Sequence, residues 1–324
     1  MRGEIPAGIY AVPEKFTCQP VSRFKNMLNL NSHLQKAKEG HYAIGHFNFA
    51  TADVLRGIIE AAKEAGVPAV MVGTSEGEAG FIGMKEAVAL VAALRGEYDF
   101  PVFLNADHFK SFEKCKEAIG AGYDSVIIDA SRLPYHENIA VTKKVVDYAQ
   151  SVNPDISVEG ELGYLRGTSE VQRKIEISPA DYTQPNLAFN FLSHTKVDRL
   201  AVVFGNIHGI VTEQTEKLDI EHLKRIVLAV NSARSIFHFW RNRTVYLVLH
   251  GASGLKDEDV VASIKAGIVN VHFNTELRVA YREGIEKAIH AKPDEAAPYK
   301  YLAPAIEDVK KVVSQKIKLF ISHV

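Results

Sequence analysis

Residues 101–131, PVFLNADHFKSFEKCKEAIGAGYDSVIIDAS, decide how the chain is read. An apolar run at 101–106 passes into the pair Asp107-His108. A polar segment with helical spacing follows, and then a second apolar run at 125–129. Runs this short, bounded by polar loops, read as strands, and their near-continuous apolar character suits parallel strands buried on both faces. The same alternation extends in both directions. Candidate strands fall at 42–47 (YAIGHF), 68–72 (PAVMV), 101–106, 125–129, 156–161 (ISVEGE), 200–204 (LAVVF), 245–249 (VYLVL) and 268–273 (IVNVHF). Between them lie amphipathic stretches. In 52–66, Val54, Leu55, Ile58, Ile59 and Ala62 share one stripe; in 136–150, Ile139, Val145, Val146 and Ala149 do so, with Thr142 the polar member.

Eight such units in sequence predict an α/β chain folded as a (β/α)8 TIM barrel, because each parallel strand needs a right-handed crossover and the ring closes at eight. A doubly wound open sheet would place a glycine-rich dinucleotide turn after the first strand, and AIGHFNFAT is not one. An extra C-terminal helix is expected at 304–315, with Ile306, Val309, Val312 and Val313 packed on the barrel. Residues 1–26, with prolines at 6, 13 and 20, read as an irregular N-terminal extension, and 27–324 as one barrel domain.

Composition excludes several classes. With 47% hydrophobic and 24% charged residues the chain has the makeup of a globular protein rather than a disordered one. A formal net charge of −1 gives no field for nucleic acid or anionic membrane, so neither is expected as a partner. Cys18 and Cys115 stand far apart, which argues for a reducing compartment and against a thiolate metal site. No apolar run approaches the roughly 18–20 residues of a membrane span. The N-terminus lacks a signal-peptide core, and the expected location is the cytoplasm.

In a barrel of this kind the chemistry sits at the C-terminal ends of the strands. The third strand runs into Asp107-His108, the fourth ends at Asp129, and the fifth carries Glu159 and ends at Glu161. The sixth runs into GNIHG with His208, the seventh into HGASG from His250, and the eighth carries His272 before Asn274-Thr275. Seven other histidines, His33 and His222 among them, fall on expected surface helices or loops. Three imidazoles converging without cysteine suit Zn2+ or a similar ion with an open catalytic position, and His108, His208 and His250 are the expected ligands. Asp107, next to one of them, is placed either as a general acid or base or as a carboxylate that orients His108. Asp129 and Glu161 are placed to hold a second cation, to hydrogen-bond the histidines or to fix loops; Glu159 suits the partner of a barrel lysine or arginine. Gly209, Gly251, Ser253, Asn274 and Thr275 offer backbone N–H groups and hydroxyls, a cradle for the phosphate of a phosphorylated substrate.

These residues resemble the class II, metal-dependent fructose-bisphosphate and tagatose-bisphosphate aldolases. The matching pieces are AIGHFN (43–48), NADHFKS (105–111), GYDSVIIDAS (122–131), ENIAVTKKVVDYA (137–149), VEGELG (158–163), FGNIHG (204–209), LHGASG (249–254) and NTELR (274–278). They occur in the family's order and span about 27–320. The resemblance implies a catalytic zinc on His108, His208 and His250, with Asp107 handling the C4 hydroxyl proton. It implies an alternative or second metal position at Asp129 and Glu161, and a cradle for the phosphate of the dihydroxyacetone phosphate half at Gly209, Gly251, Ser253, Asn274 and Thr275. The substrate implied is a ketose 1,6-bisphosphate, fructose or tagatose, and the assembly a homodimer or homotetramer.

Three departures stand out. Glu170 lies one place later than the family's loop acid, with Ser169 at the aligned position, and is the expected base for the C3 proton. His272 stands where relatives carry an asparagine that contacts the enediolate, and Asn274 where an aspartate is common. A metal-dependent barrel hydrolase and a non-catalytic metabolite-binding relative are the competing readings. The hydrolase would want a His-x-His on the first strand, where only His46 stands.

Overall fold

The structure is a computed structural model that describes residues 29–213, 217–236 and 244–321. The expected extension at 1–26 lies outside the described residues. In chain order the strands are β1 (Ile44–Asn48), β2 (Val70–Ser75), β3 (Val102–Phe109), β4 (Ser125–Ile128), β5 (Ser157–Leu162), β6 (Gly167–Gln172), β7 (Arg199–Val202), β8 (His208–Val211), β9 (Tyr246–Leu249) and β10 (Ile268–Phe273). Eight of them close a parallel barrel in the order β1-β10-β9-β7-β5-β4-β3-β2. These are the eight expected units. β6 and β8 form a separate two-stranded parallel sheet, which the apolar-run criterion does not detect.

The helices are α1 (Leu30–Glu39), α2 (Ala52–Glu64), α3 (Glu76–Ile82), α4 (Met84–Tyr98), α5 (Phe112–Ala121), α6 (Tyr135–Val152), α7 (Pro185–Thr195), α8 (Ile220–Ile236), α9 (Asp257–Ala266), α10 (Thr275–Ala291) and α11 (Pro298–Ile321). Both sequence stripes face inward: Leu55, Ile58, Ile59 and Ala62 on α2, and Thr142, Val145, Val146 and Ala149 on α6, are buried. Helix α11 is longer than the expected 304–315. Pro298 supplies its start, where a missing N–H costs nothing, and Pro304 lies inside it. Val309, Val313, Ile317 and Phe320 bury its inner face. Its last turn seals the barrel seam: Ala43 N donates to Phe320 O at 3.2 Å, and the Phe320 ring lies 6.5 Å from Phe47 and 5.8 Å from Phe273.

Helix α1 closes the opposite, N-terminal mouth. Leu30, Leu34 and Ala37 pack with Ile44, Ala69, Met71, Phe103, Tyr246 and Val269 at or near the strand starts. The barrel is thus plugged at one end and open to chemistry at the other. Two histidines expected on the surface are buried instead: His33 packs on the Phe103 ring at 5.4 Å, and His222 Nε2 pairs with Thr183 O at 2.7 Å. In both cases the side chain falls on the inner stripe of its helix. Among the described residues no helix is long and apolar enough to cross a membrane.

Cys115, on α5, is fully buried with its thiol turned toward Ile127 O at 3.8 Å. Burial pushes that thiol up to about 12. Thiolate is the reacting form, so Cys115 is expected to resist iodoacetamide in the folded protein and to react after denaturation. Peptide mass spectrometry checks this; carbamidomethylation of the native protein at the denatured rate would contradict the burial.

Candidate active site

The site is built around an irregularity at the end of β3. In a regular strand Asp107 and His108 would point to opposite faces. Here the register against β4 slips between Ala106 and Phe109, and His108 takes φ +52. The extra residue re-aims the backbone, as bulges near functional sites do, and both side chains line one pocket. A left-handed conformation at a non-glycine residue is strained and is held only where its surroundings fix it. The surroundings of His108 do so: its Nδ1 lies 3.3 Å from Asp129 Oδ2, just past β4, and 3.2 Å from Glu161 Oε2 on β5.

His208 opens β8, and His250 directly follows β9. Their rings meet that of His108 nearly edge-on, at 4.6 and 4.5 Å. His250 Nε2 is bound to Glu159 Oε1 at 2.7 Å, so Nδ1 is its remaining ligand atom. Glu159 in turn meets Arg199 Nη1 at 2.6 Å, both side chains fully buried; this is the expected partner of Glu159. Arg199 also reaches Ser157, Asn270 and Asn105 across the barrel interior.

The electrostatics favour a cation. Burial, followed by the neighbouring His108 and His250 rings, pushes His208 well below its ordinary value, which favours the neutral form in which an imidazole can ligate metal. Burial would also lower His108, but Asp107, Asp129 and Glu161 carry it well above its ordinary value. The same carboxylates would attract a metal ion. His108 Nε2 is buried without a hydrogen-bond partner. Asp107, His108 and His250 bring ligand atoms within 4.8 Å of one another, and so do His108, Asp129 and Glu161. The mixed imidazole and carboxylate donors and the orphaned imidazole nitrogen fit a divalent ion; His208 meets the His108 ring but shares none of these groups of ligand atoms.

Asp107 has two distinct oxygens. Its Oδ2 accepts a hydrogen bond from Asn48 Nδ2 at 3.0 Å. Its Oδ1 is buried without a hydrogen bond and faces His272 Nδ1 at 3.3 Å. The His272 ring is stacked on His46 at 3.8 Å and leans on His250 at 4.0 Å. Asn270 fixes it from below: Nδ2 of Asn270 donates to Ile44 O at 2.9 Å, which leaves Oδ1 to accept from His272 Nε2 at 3.1 Å. His272 thus joins the same pocket as the three other imidazoles.

The pocket wall continues through Ser169, Gly209, Gly251, Ser253, Asn274 and Thr275. Gly209 and Gly251 hold φ +90 and +65. A Cβ on Gly209 would strike the carbonyls of Thr168 and Glu170, and one on Gly251 the carbonyl of Ile207. Asn274 and Thr275 start α10, whose N-terminal N–H groups and dipole suit an anion. All five expected cradle residues therefore share the wall with Asp107 and the imidazoles.

The family described as "Fructose-bisphosphate aldolase class-II" matches residues 28–323. The chain belongs to that family. Fructose-bisphosphate aldolase of Staphylococcus aureus is 34% identical over 297 residues, covering 91% of this chain and 97% of the relative. The probable fructose-bisphosphate aldolase of Bacillus subtilis gives the same identity and coverage. Among solved structures, the YdjI aldolase from Escherichia coli K12 aligns with TM-score 0.73 and 31% identity, over 90% of this chain and 96% of that one. A putative fructose-1,6-bisphosphate aldolase from Coccidioides immitis, 23% identical over 91% of this chain and 96% of that one, shares the fold with TM-score 0.75.

Not every expected residue of this class II aldolase reaches the pocket. Glu170 lies on β6, whose alternation turns Ser169 toward the site and Glu170 outward, where Thr168 Oγ1 donates to it at 3.3 Å. Asp129 and Glu161 touch His108 rather than the pocket wall. Sequence reading also passed over Asn48, which ends β1 and lines the pocket. Asn48 follows the apolar run 42–47 just as Asp107-His108 follows 101–106, so the strand end is its signal in the sequence.

Proposed function

We propose that this aldolase cleaves fructose 1,6-bisphosphate reversibly to dihydroxyacetone phosphate and glyceraldehyde 3-phosphate, with Zn2+ held by His108, His208 and His250. The observation that carries the reading is the convergence of those three rings beside Asp107, whose Oδ1 makes no hydrogen bond and faces His272 Nδ1. When bound, the ion would polarise the ketose carbonyl and offset the negative charge that carbon–carbon cleavage leaves behind. Asp107 Oδ1 would take the proton of the C4 hydroxyl while Asn48 holds Oδ2. The Gly209, Gly251, Ser253, Asn274 and Thr275 wall would bind the C1 phosphate, and His272 would contact the dihydroxyacetone half. Asp129 and Glu161 orient His108 and, with it, offer an alternative cation position. Glu170 is assigned the C3 proton, which requires β6 to turn its outer face inward as the substrate is enclosed. The reading takes 27–324 as one catalytic domain acting in the cytoplasm as a homodimer or homotetramer.

The test is a coupled cleavage assay on fructose and tagatose 1,6-bisphosphates, with and without chelator. Zinc-loaded enzyme is expected to cleave the fructose ester faster, chelated enzyme neither. Asp107→Ala should retain zinc and lose about 10²-fold or more in kcat, the scale for removing a general acid or base. Undiminished cleavage after complete metal removal would end the zinc assignment. Activity of Asp107→Ala within a few-fold of the parent would make Asp107 structural.

A further inference from the structure

Glu78 lies on α3, outside the pocket wall, yet it joins two parts of the site. Its Oε2 accepts Ser75 N–H at 2.8 Å, the reciprocal half of the box that caps α3, and also Asn48 Nδ2 at 2.8 Å. Its Oε1 accepts Arg278 Nη2, on α10. Asn48 Nδ2 spends its other hydrogen on Asp107 Oδ2. Arg278 Nη1 donates to Ser169 O at 3.2 Å, on the inner face of β6. One continuous chain of polar contacts therefore runs from the strand over the pocket, through Arg278, Glu78 and Asn48, to Asp107.

The chemistry of each link is specific. An amide N donates to two carboxylates only if both its hydrogens are spent, which fixes the flip of Asn48 and the rotamer of Asp107. An ionised carboxylate accepts on both oxygens, so Glu78 satisfies Ser75, Asn48 and Arg278 together. Glutamine at 78 could still cap α3 and still accept from Asn48, because capping boxes take either residue. It would turn its NH2 toward Arg278, where only an acceptor serves. The Glu78 side chain is 9% exposed, so the ion pair is shielded on one side and Arg278 has a fixed anchor.

We propose that Glu78 is a positioning residue for two elements at once. Through Asn48 it holds Asp107 with Oδ1 turned toward His272 and the pocket, and through Arg278 it seats β6 over the pocket. The kinetic part rests on the aldolase reading; the seating of β6 does not. Three variants separate the two roles. Glu78→Gln and Arg278→Met should release β6 alone. KM for fructose 1,6-bisphosphate should rise about tenfold, and backbone amides of 167–172 should exchange with deuterium at least about fivefold faster. Glu78→Ala should add a fall in kcat of about tenfold or more, which Glu78→Gln restores.

A parent-like kcat in Glu78→Ala would exclude the link to Asp107. Parent-like exchange at 167–172 in Glu78→Gln would exclude the seating of β6. Should Glu78→Ala fail to fold, Asn48→Ala with Glu78 intact tests the same link: kcat should fall while exchange at 167–172 stays at the parent rate. A parent protein that does not cleave the ester would overturn the functional reading, and the exchange experiment would still decide the seating.

Discussion

His108→Ala is expected to abolish metal binding and to lower cleavage by about 10³-fold or more. A Lewis acid at a developing oxyanion contributes several kcal/mol, and each 1.36 kcal/mol is tenfold in rate. His108 belongs to two of the four candidate cation groups among the described residues, with Asp107 and His250 in one and Asp129 and Glu161 in the other. Removing it leaves neither group complete. His250→Ala spares the Asp129–Glu161 group, so that variant should keep a weakly held, catalytically silent ion. Metal analysis after dialysis distinguishes the cases: about one ion per chain for the parent, near zero for His108→Ala, and a dialysable remnant for His250→Ala. Full, tight occupancy in His108→Ala would remove it from the ligand set.

Arg199→Met should destabilise the protein by about 3–5 kcal/mol, the usual cost of leaving one member of a buried ion pair without its partner. Arg199 and Glu159 are both fully buried, and the guanidinium also binds Asn105, Ser157 and Asn270. Without it, Glu159 has only His250 to compensate its charge. Adding Glu159→Leu to Arg199→Met should recover much of the loss, since an apolar replacement of both partners avoids the stranded charge. Urea unfolding of the metal-free proteins measures both. A loss under about 1 kcal/mol for Arg199→Met alone would mean that water reaches the pair.

The sequence makes the barrel legible because its strands are buried on both faces and therefore read as apolar runs. It makes the rim legible because polar residues interrupt those runs at their C-terminal ends. Strands β6 and β8 are not legible: GTSEVQ and HGIV lie over the pocket, half exposed, with no apolar run to mark them. That gap is why the sequence points to Glu170 while the strand turns Ser169 toward the site. Arg199 escaped because it precedes the run LAVVF, and a charged residue there reads as a loop. The bulge at Asp107-His108 has no hydrophobic signature either; strand alternation alone would have separated the two side chains.

The seam between β1 and β10, sealed by the last turn of α11, has a consequence for synthesis on the ribosome. Strand β1 ends at Asn48, and its second neighbour begins at Ile268. At roughly 5–20 residues per second, about 10–45 s separate the two. During that interval β2 can cover one edge of β1 while the other presents unpaired N–H and C=O groups. The residues that finally bury Phe47 from the outside, around Phe320, emerge later still. Nascent β1 is thus the strand that waits longest with an open edge, and the one most exposed to pairing with a neighbouring chain before its own ring closes.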